Sequence, residues 1–235
     1  MQPYITSNKI IKTFAETPNF FFVGPIVTTT GFKNPIYPDP RKTFSDPKRL
    51  QVILDEIEKF LKTKKIKYDL ICGGATAGIQ LSSPLSIQLG KPQIYVRSKP
   101  KDGGMKLAVE GAFKKGQRVI LLDDATGAGM HKVDFVNNLR QVGLKIEWVI
   151  VPFSRNRYIE SENEWIKKAK VKSQSFCDLN DIRKYAEKNN IMTKEASTVI
   201  GRYADDSYHW HENNEYWEYF LKYKNMKKRK SKSGI

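Results

Sequence analysis

Apolar residues in this chain fall into two patterns: short unbroken runs, and longer stretches with helical spacing. The most compact run, Val119-Ile120-Leu121-Leu122, ends abruptly in Asp123-Asp124 and then in Ala125-Thr126-Gly127-Ala128-Gly129. A short apolar run bounded by turn residues predicts a buried parallel strand. Residues 68–72, 93–97 and 146–151 predict further strands, and 20–23 with 26–27 predict one nearer the N-terminus. Between them, Leu50, Ile53, Leu54, Ile57, Phe60 and Leu61 recur on one helical face behind the start signal Ser45-Asp46-Pro47. Residues 79–89 predict a second helix, and 131–142, stopped by Gly143, a third. Ile10, Ile11 and Phe14 share one face of a short helix before them. Alternating strands and helices imply an α/β fold, a parallel sheet flanked by helices.

The remaining stretches are less regular. Pro35, Pro38 and Pro40 exclude a central strand or a helix between 34 and 41. Residues 98–110 are polar and glycine-containing without an apolar period, which predicts a long loop of the kind that serves as a lid. Beyond Arg157 the pattern weakens to three short helices, at 164–169, 180–189 and 193–203. The aromatic segment 208–223, with Trp210, Trp217 and Phe220, packs on the domain or on a partner.

Chemistry concentrates at the central run. Carboxylates at the C-terminal end of a parallel strand sit where open α/β sheets bind ligands. A glycine-rich turn leading into a helix directs backbone N–H groups at an anion. Asp123-Asp124 followed by 125–129 therefore points to a ligand with hydroxyls or a metal at one end and a phosphate at the other. Gly73-Gly74-Ala75-Thr76-Ala77-Gly78 is a second small-residue turn after a strand, so three loops (73–78, 98–110 and 123–131) converge on one sheet edge.

Composition narrows the partners. The 235 residues make one large domain or a domain with appendages, and the formal charge of +16 favours phosphates, nucleotides and nucleic acid. Part of that charge is the run of lysines and Arg229 in 222–235, read as a solvated end, with a weak nucleic-acid contact as the competing reading. Cys72 and Cys177 lack zinc-site spacing and read as buried thiols in a reducing compartment. No membrane-length apolar run or signal pattern is present, so the expectation is a cytoplasmic protein without a membrane partner. His209 and His211 with Glu212 are too sparse to specify a metal site; no metal-ligating residue is assigned.

Several stretches, in order, carry a resemblance. They are Thr30-Gly31-Phe32-Lys33-Asn34-Pro35-Ile36-Tyr37, Ser45-Asp46-Pro47, Arg97-Ser98-Lys99-Pro100-Lys101-Asp102-Gly103-Gly104, Val109-Glu110-Gly111 and the Asp123-Asp124 loop. Through most of residues 20–203 the chain resembles the type I phosphoribosyltransferases, and within them orotate phosphoribosyltransferase. The resemblance implies a small hood subdomain, with 1–45 as the N-terminal hood segment, 46–203 as the core and 204–235 as an aromatic, then basic, extension. It also implies transfer of a phosphoribosyl group from phosphoribosyl diphosphate to a nitrogen base, with Mg2+ as cofactor and a homodimer as the assembly.

By the same resemblance, Asp123 and Asp124 contact the ribose diol, while Thr126, Gly127, Ala128 and Gly129 wrap the 5′-phosphate. Gly73 and Gly74 approach the diphosphate and its magnesium, and Arg97 and Lys101 contact the diphosphate, Lys101 from the neighbouring subunit. Arg155 stands where the family pairs an arginine with orotate's carboxylate, a geometry that suits a planar fork. Asp123, Asp124 and Lys101 are the expected catalytic residues.

The chain departs from the family at functional positions. Ser98 replaces a lysine, Gly103 replaces a ring, Gly127 and Met130 replace hydroxyl residues, and Thr29 stands where many members have a base-contacting lysine. Each lost hydroxyl removes a hydrogen bond to an anion, worth roughly 1.5–3 kcal/mol. Lys99, Lys106 and His131 are candidates to compensate. Three readings stay open: transfer to orotate, transfer to another base, and phosphoribosyl diphosphate or nucleotide binding without efficient turnover.

Overall fold

The Ser7 hydroxyl accepts from the Ile10 amide at 3.2 Å and starts α1 (Asn8–Ala15), whose buried face is Ile10, Ile11, Phe14 and Ala15. In this computed structural model, β1 (Phe21–Val27) and β2 (Lys33–Pro38) pair antiparallel as a two-stranded sheet of their own. β2 carries Pro35 and Pro38, which an edge strand tolerates because it has ladder partners on one side only. α2 (Pro40–Phe44) follows at once, with Asp39 accepting from the Arg41 amide and Pro40 in the first turn. This helix corrects the expectation that the prolines exclude one before residue 41: a proline at the first turn starts a helix as readily as one further in would break it.

α3 (Pro47–Thr63) begins at Asp46, whose carboxylate accepts from the Lys48 and Arg49 amides, and buries Ile53, Leu54, Ile57, Phe60 and Leu61. Then come β3 (Leu70–Gly74), α4 (Ile79–Leu89), β4 (Gln93–Val96), β5 (Val109–Glu110), β6 (Arg118–Leu122) and β7 (Ala125–Thr126). The last elements are α5 (Met130–Gln141), β8 (Lys145–Ser154), α6 (Glu164–Ala169), β9 (Lys172–Asp178), α7 (Leu179–Lys188) and α8 (Lys194–Asp205). The described residues are 4–27, 33–99, 107–127, 129–155, 163–207, 209–215, 217, 218 and 221. Thr29, Thr30, Gly31, Phe32, lid residues 100–106 with Lys101, Gly103 and Lys106, Ala128, Asn156, Phe220 and the tail 222–235 lie outside them.

Among the described residues the main sheet has seven strands in the order β5-β4-β3-β6-β8-β7, with β9 on the other side of β8. All pairs are parallel except β4 with β5. Side chains on successive residues of a strand face opposite sides, and here both sides are dry. Ile71, Ile120, Leu122 and Ile150 join one core with α1, α3, α4 and α7, whereas Leu70, Cys72, Val119, Leu121 and Val149 join another with α5 and α6. Val109–Glu110, expected within the lid loop, instead forms β5 and pairs with β4. No helix among the described residues is long and apolar enough to cross a membrane.

β9 has no counterpart among the strands expected from hydrophobic pattern. Its sequence, Lys-Ser-Gln-Ser-Phe-Cys-Asp, reads as polar, yet Gln174 to Asp178 are buried. The N-terminal segment satisfies part of it: Gln174 Nε2 donates to the Ile5 carbonyl at 2.8 Å, and the Ser7 amide donates to the Phe176 carbonyl at 2.9 Å. Asp178 then ends β9 and caps α7, accepting from the Asp181 amide at 3.0 Å while Asp181 accepts from the Asp178 amide at 3.1 Å. Further along, Trp210 is buried against Tyr203, and Trp217 packs on the same core, as expected for the aromatic segment. Asp178→Ala removes a reciprocal cap. It is expected to cost about 1–2 kcal/mol of unfolding free energy in urea melts, with the m-value unchanged.

Candidate active site

Because β4, β3, β6 and β8 run parallel, the loops after their C-terminal ends lie on one edge of the sheet. Those loops begin at Arg97, Ala75, Asp123 and Arg155, so the topology brings together the segments singled out in the sequence.

The aspartates at the end of β6 divide into two environments. Asp123 is buried and fully engaged: Oδ1 accepts from the Asp124 amide at 3.0 Å, and Oδ2 accepts from Lys132 Nζ at 2.7 Å. Burial pushes the Asp123 carboxyl up, but the Lys132 charge and its hydrogen bond outweigh it and hold the group at about 2. Asp124 is half-buried and accepts from the Ala125 amide at 2.8 Å. Burial and the adjacent Asp123 charge raise it to about 6, against the pull of Lys132 and of Arg41 on α2. Two neighbouring carboxylates in one low-dielectric site ionise unequally, and here the split follows from which one owns the lysine.

Lys132 was not singled out in the sequence, and it is the most completely buried cation of the site, with no exposed side chain. Its ammonium has three acceptors: Asp123 Oδ2 at 2.7 Å, the Ala125 carbonyl at 2.7 Å and His131 Nε2 at 3.1 Å. An ammonium only donates, so Nε2 of His131 serves it as an acceptor, and its 3.3 Å approach to Asp123 follows from the shared lysine. A signal existed: Lys132 falls on the same helical face as Phe135, Val136 and Leu139, all buried. Arg41, also missed, ion-pairs with Asp39 at 2.6 Å and carries positive charge from α2 toward Asp124.

The phosphate-loop residues are held from both sides. β7 pairs with the end of β8, and the Arg155 amide donates to the Thr126 carbonyl at 2.8 Å, which sets Arg155 directly beside the loop. Thr126 is buried with its hydroxyl on the Gly127 carbonyl at 3.2 Å, and Gly127 is half-buried. Gly129 is the N-cap of α5, in the left-handed region at φ +63°, and among the described residues no side chain caps the helix. A Cβ there would also strike the indole of Trp165, a fully buried residue of α6 whose Nε1 has no hydrogen-bond partner among the described residues. The first turn of α5 thus keeps amide donors available, with the helix dipole behind them.

Gly73 and Gly74 are buried in β3, and Cβ atoms there would run into Ser82 and the Phe135 ring. They permit close packing, while the residues that face the edge are Ala75 to Gly78, joined by a cis Ala75–Thr76 peptide. Gly78 packs against the Leu122 carbonyl, which presses this turn onto the end of β6. Arg97 pairs with Glu110 at 3.3 Å and lies against the Tyr95 ring, and its carbonyl accepts from Asn138 of α5 at 2.7 Å. Lys101 and Ala128 lie outside the described residues.

A magnesium ion fits this edge only as an ion carried by its substrate. Among the described residues no three His, Cys, Asp or Glu side chains gather into a cage, and Asp123 is already neutralised by Lys132. Magnesium commonly keeps waters and phosphate oxygens as most of its ligands, so an edge without a carboxylate cage would hold it through a phosphorylated substrate.

No family model matches the chain. Orotate phosphoribosyltransferase of Bacillus cytotoxicus is 32% identical over 168 residues, 72% of this chain and 79% of that protein. The enzyme of the same name from Cytophaga hutchinsonii is 29% identical over 186 residues, 79% of this chain and 88% of its own length. Among solved structures, orotate phosphoribosyltransferase from Aeropyrum pernix superposes with a TM-score of 0.63 at 25% identity, covering 77% of this chain and 99% of that one. With a relative 32% identical over 72% of its length, and a superposition that covers 77% of it, the chain belongs to the orotate phosphoribosyltransferase family of type I phosphoribosyltransferases.

Proposed function

We propose that this protein joins orotate to phosphoribosyl diphosphate, giving orotidine monophosphate and diphosphate, a step of pyrimidine nucleotide synthesis. The observation that carries this reading is the half-buried Asp124 at the end of β6, one short loop before the uncapped N-terminus of α5.

Departure of diphosphate leaves positive charge on the ribose carbon and ring oxygen. An ionised Asp124 below the ring stabilises that charge and accepts from the ribose hydroxyls. The first-turn amides of α5 and the backbone of 126–129 hold the phosphate, and the dipole of a twelve-residue helix favours its charge. Arg155, fixed beside the loop through the Thr126 carbonyl, offers its guanidinium to the orotate carboxylate. Arg97 and, from a second subunit, Lys101 meet the diphosphate, so the working form is a homodimer. Bound magnesium neutralises the leaving group as its charge grows.

One observation favours a second reading, binding with slow turnover or transfer to another base. Lys132 offsets the charge of Asp123, so the pair presents less net negative charge to a ribose than two unpaired aspartates would. A diphosphate-release assay across a panel of bases separates the readings: release with orotate alone supports the first, and release only with another base replaces it.

Under the first reading, orotate absorbance falls with phosphoribosyl diphosphate and magnesium, and Asp124→Asn lowers kcat by roughly a hundredfold or more. Because the Asp124 carboxyl is raised to about 6, kcat/KM is expected to fall as pH drops through that value and to level off above it. A flat profile between pH 5 and 7 contradicts the assignment. Gly129→Ala forces a Cβ into the left-handed region and onto Trp165. It is expected to weaken phosphoribosyl diphosphate binding by about tenfold or more in calorimetry.

A further inference from the structure

We propose that Lys132 is a positioning residue of the ribose-phosphate cradle. Through Asp123 and the Ala125 carbonyl it locks the 123–125 segment and so sets the position of Asp124 between them. The inference deepens the reading of this edge as a phosphoribosyl site and rests on it.

The geometry carries it. A fully buried ammonium is costly unless every N–H finds a partner, and Lys132 finds three, from β6, from β7 and from its own helix. The lysine also stands in the first turn of α5, where the helix dipole repels a cation. An apolar residue at this position would extend the Phe135, Val136 and Leu139 face without either penalty. The arrangement makes sense as architecture for the loop: one Nζ clamps the side chain before Asp124 and the carbonyl after it, fixing the backbone on both sides of that carboxylate. Asp123 accepts from the Asp124 amide through Oδ1 and from Lys132 through Oδ2, so one carboxylate ties the lysine to the backbone of Asp124.

The charges that face Asp124 are Asp123 beside it, Lys132 with the neighbouring His131 on α5, and Arg41 on α2. Removing Lys132 raises the Asp124 titration, removing Asp123 lowers it, and removing both returns it toward the native value.

The test is a cycle of Lys132→Met, Asp123→Asn and the double variant. Thermal melts monitor folding, carboxyl-carbon NMR titration reads Asp124 in the free protein, and calorimetry reads phosphoribosyl diphosphate binding. Lys132→Met strands a buried carboxylate and is the variant most exposed to misfolding; the double variant removes both charges and keeps the measurement available. The expected result is an Asp124 midpoint near the native one in the double variant and lower in Asp123→Asn. Phosphoribosyl diphosphate affinity in the double variant, which strands no charge but lacks the clamp, is expected about tenfold below native. A double variant that binds as tightly as native overturns the proposal, because the loop then holds its geometry without Lys132; an Asp123→Asn variant, which keeps Lys132 on the Ala125 carbonyl, that loses as much affinity as the double variant overturns it too. Binding and titration are read without orotate, so a protein that uses another base fails the orotate assay while leaving this test intact.

Discussion

The contact between Lys132 Nζ and Asp123 Oδ2 at 2.7 Å organises the functional edge. It joins the end of the central strand to the first turn of the following helix, across the glycine-containing loop between them. An ion pair of this kind contributes little net stability when both charges must leave water, and losing one partner is far costlier than never having had either. Its value here lies in geometry. The pair makes Asp123 a structural anion and gives the strand end a single geometry, and it does so with a single side chain.

That division is possible because the strand end is embedded. β6 lies between β3 and β8 with both faces covered, so its last residues emerge into a site already walled by protein. Gly78 reaches the Leu122 carbonyl from one side, and β7 ties the loop to β8 on the other. Two adjacent carboxylates in such surroundings cannot behave alike. A buried counter-ion on one of them leaves the other with a raised proton affinity, poised within reach of neutral pH.

Much of this was legible in the residues. The apolar run before Asp123 and the helical periodicities of 50–61 and 79–89 name their elements directly, because burial on one face or on both writes a period into the sequence. β9 escaped because its burial is satisfied by hydrogen bonds from Ile5 and Ser7, partners about 170 residues away that no local window contains. α2 escaped because proline reads as a breaker unless its place in the first turn is known. At the site, the aspartates and the glycine turn were readable as a motif, and the roles within it were not. Lys132 looks like any surface lysine until it is placed on the face shared with Phe135 and Leu139. Gly73 and Gly74 look like anion-binding glycines until Ser82 and Phe135 fill the space beside them.

α5 connects two regions that the sequence separates. Its first turn borders the phosphate loop, and Asn138, two turns further on, donates to the carbonyls of Arg97 and Ser98 at 2.7 and 3.2 Å. Eight residues of helix span about 12 Å and are stiff along their axis. The helix therefore works as a strut between the 123–129 loop and the residues that follow β4. The two ends of that strut share one rigid body, so a substitution that tilts the helix displaces both segments together.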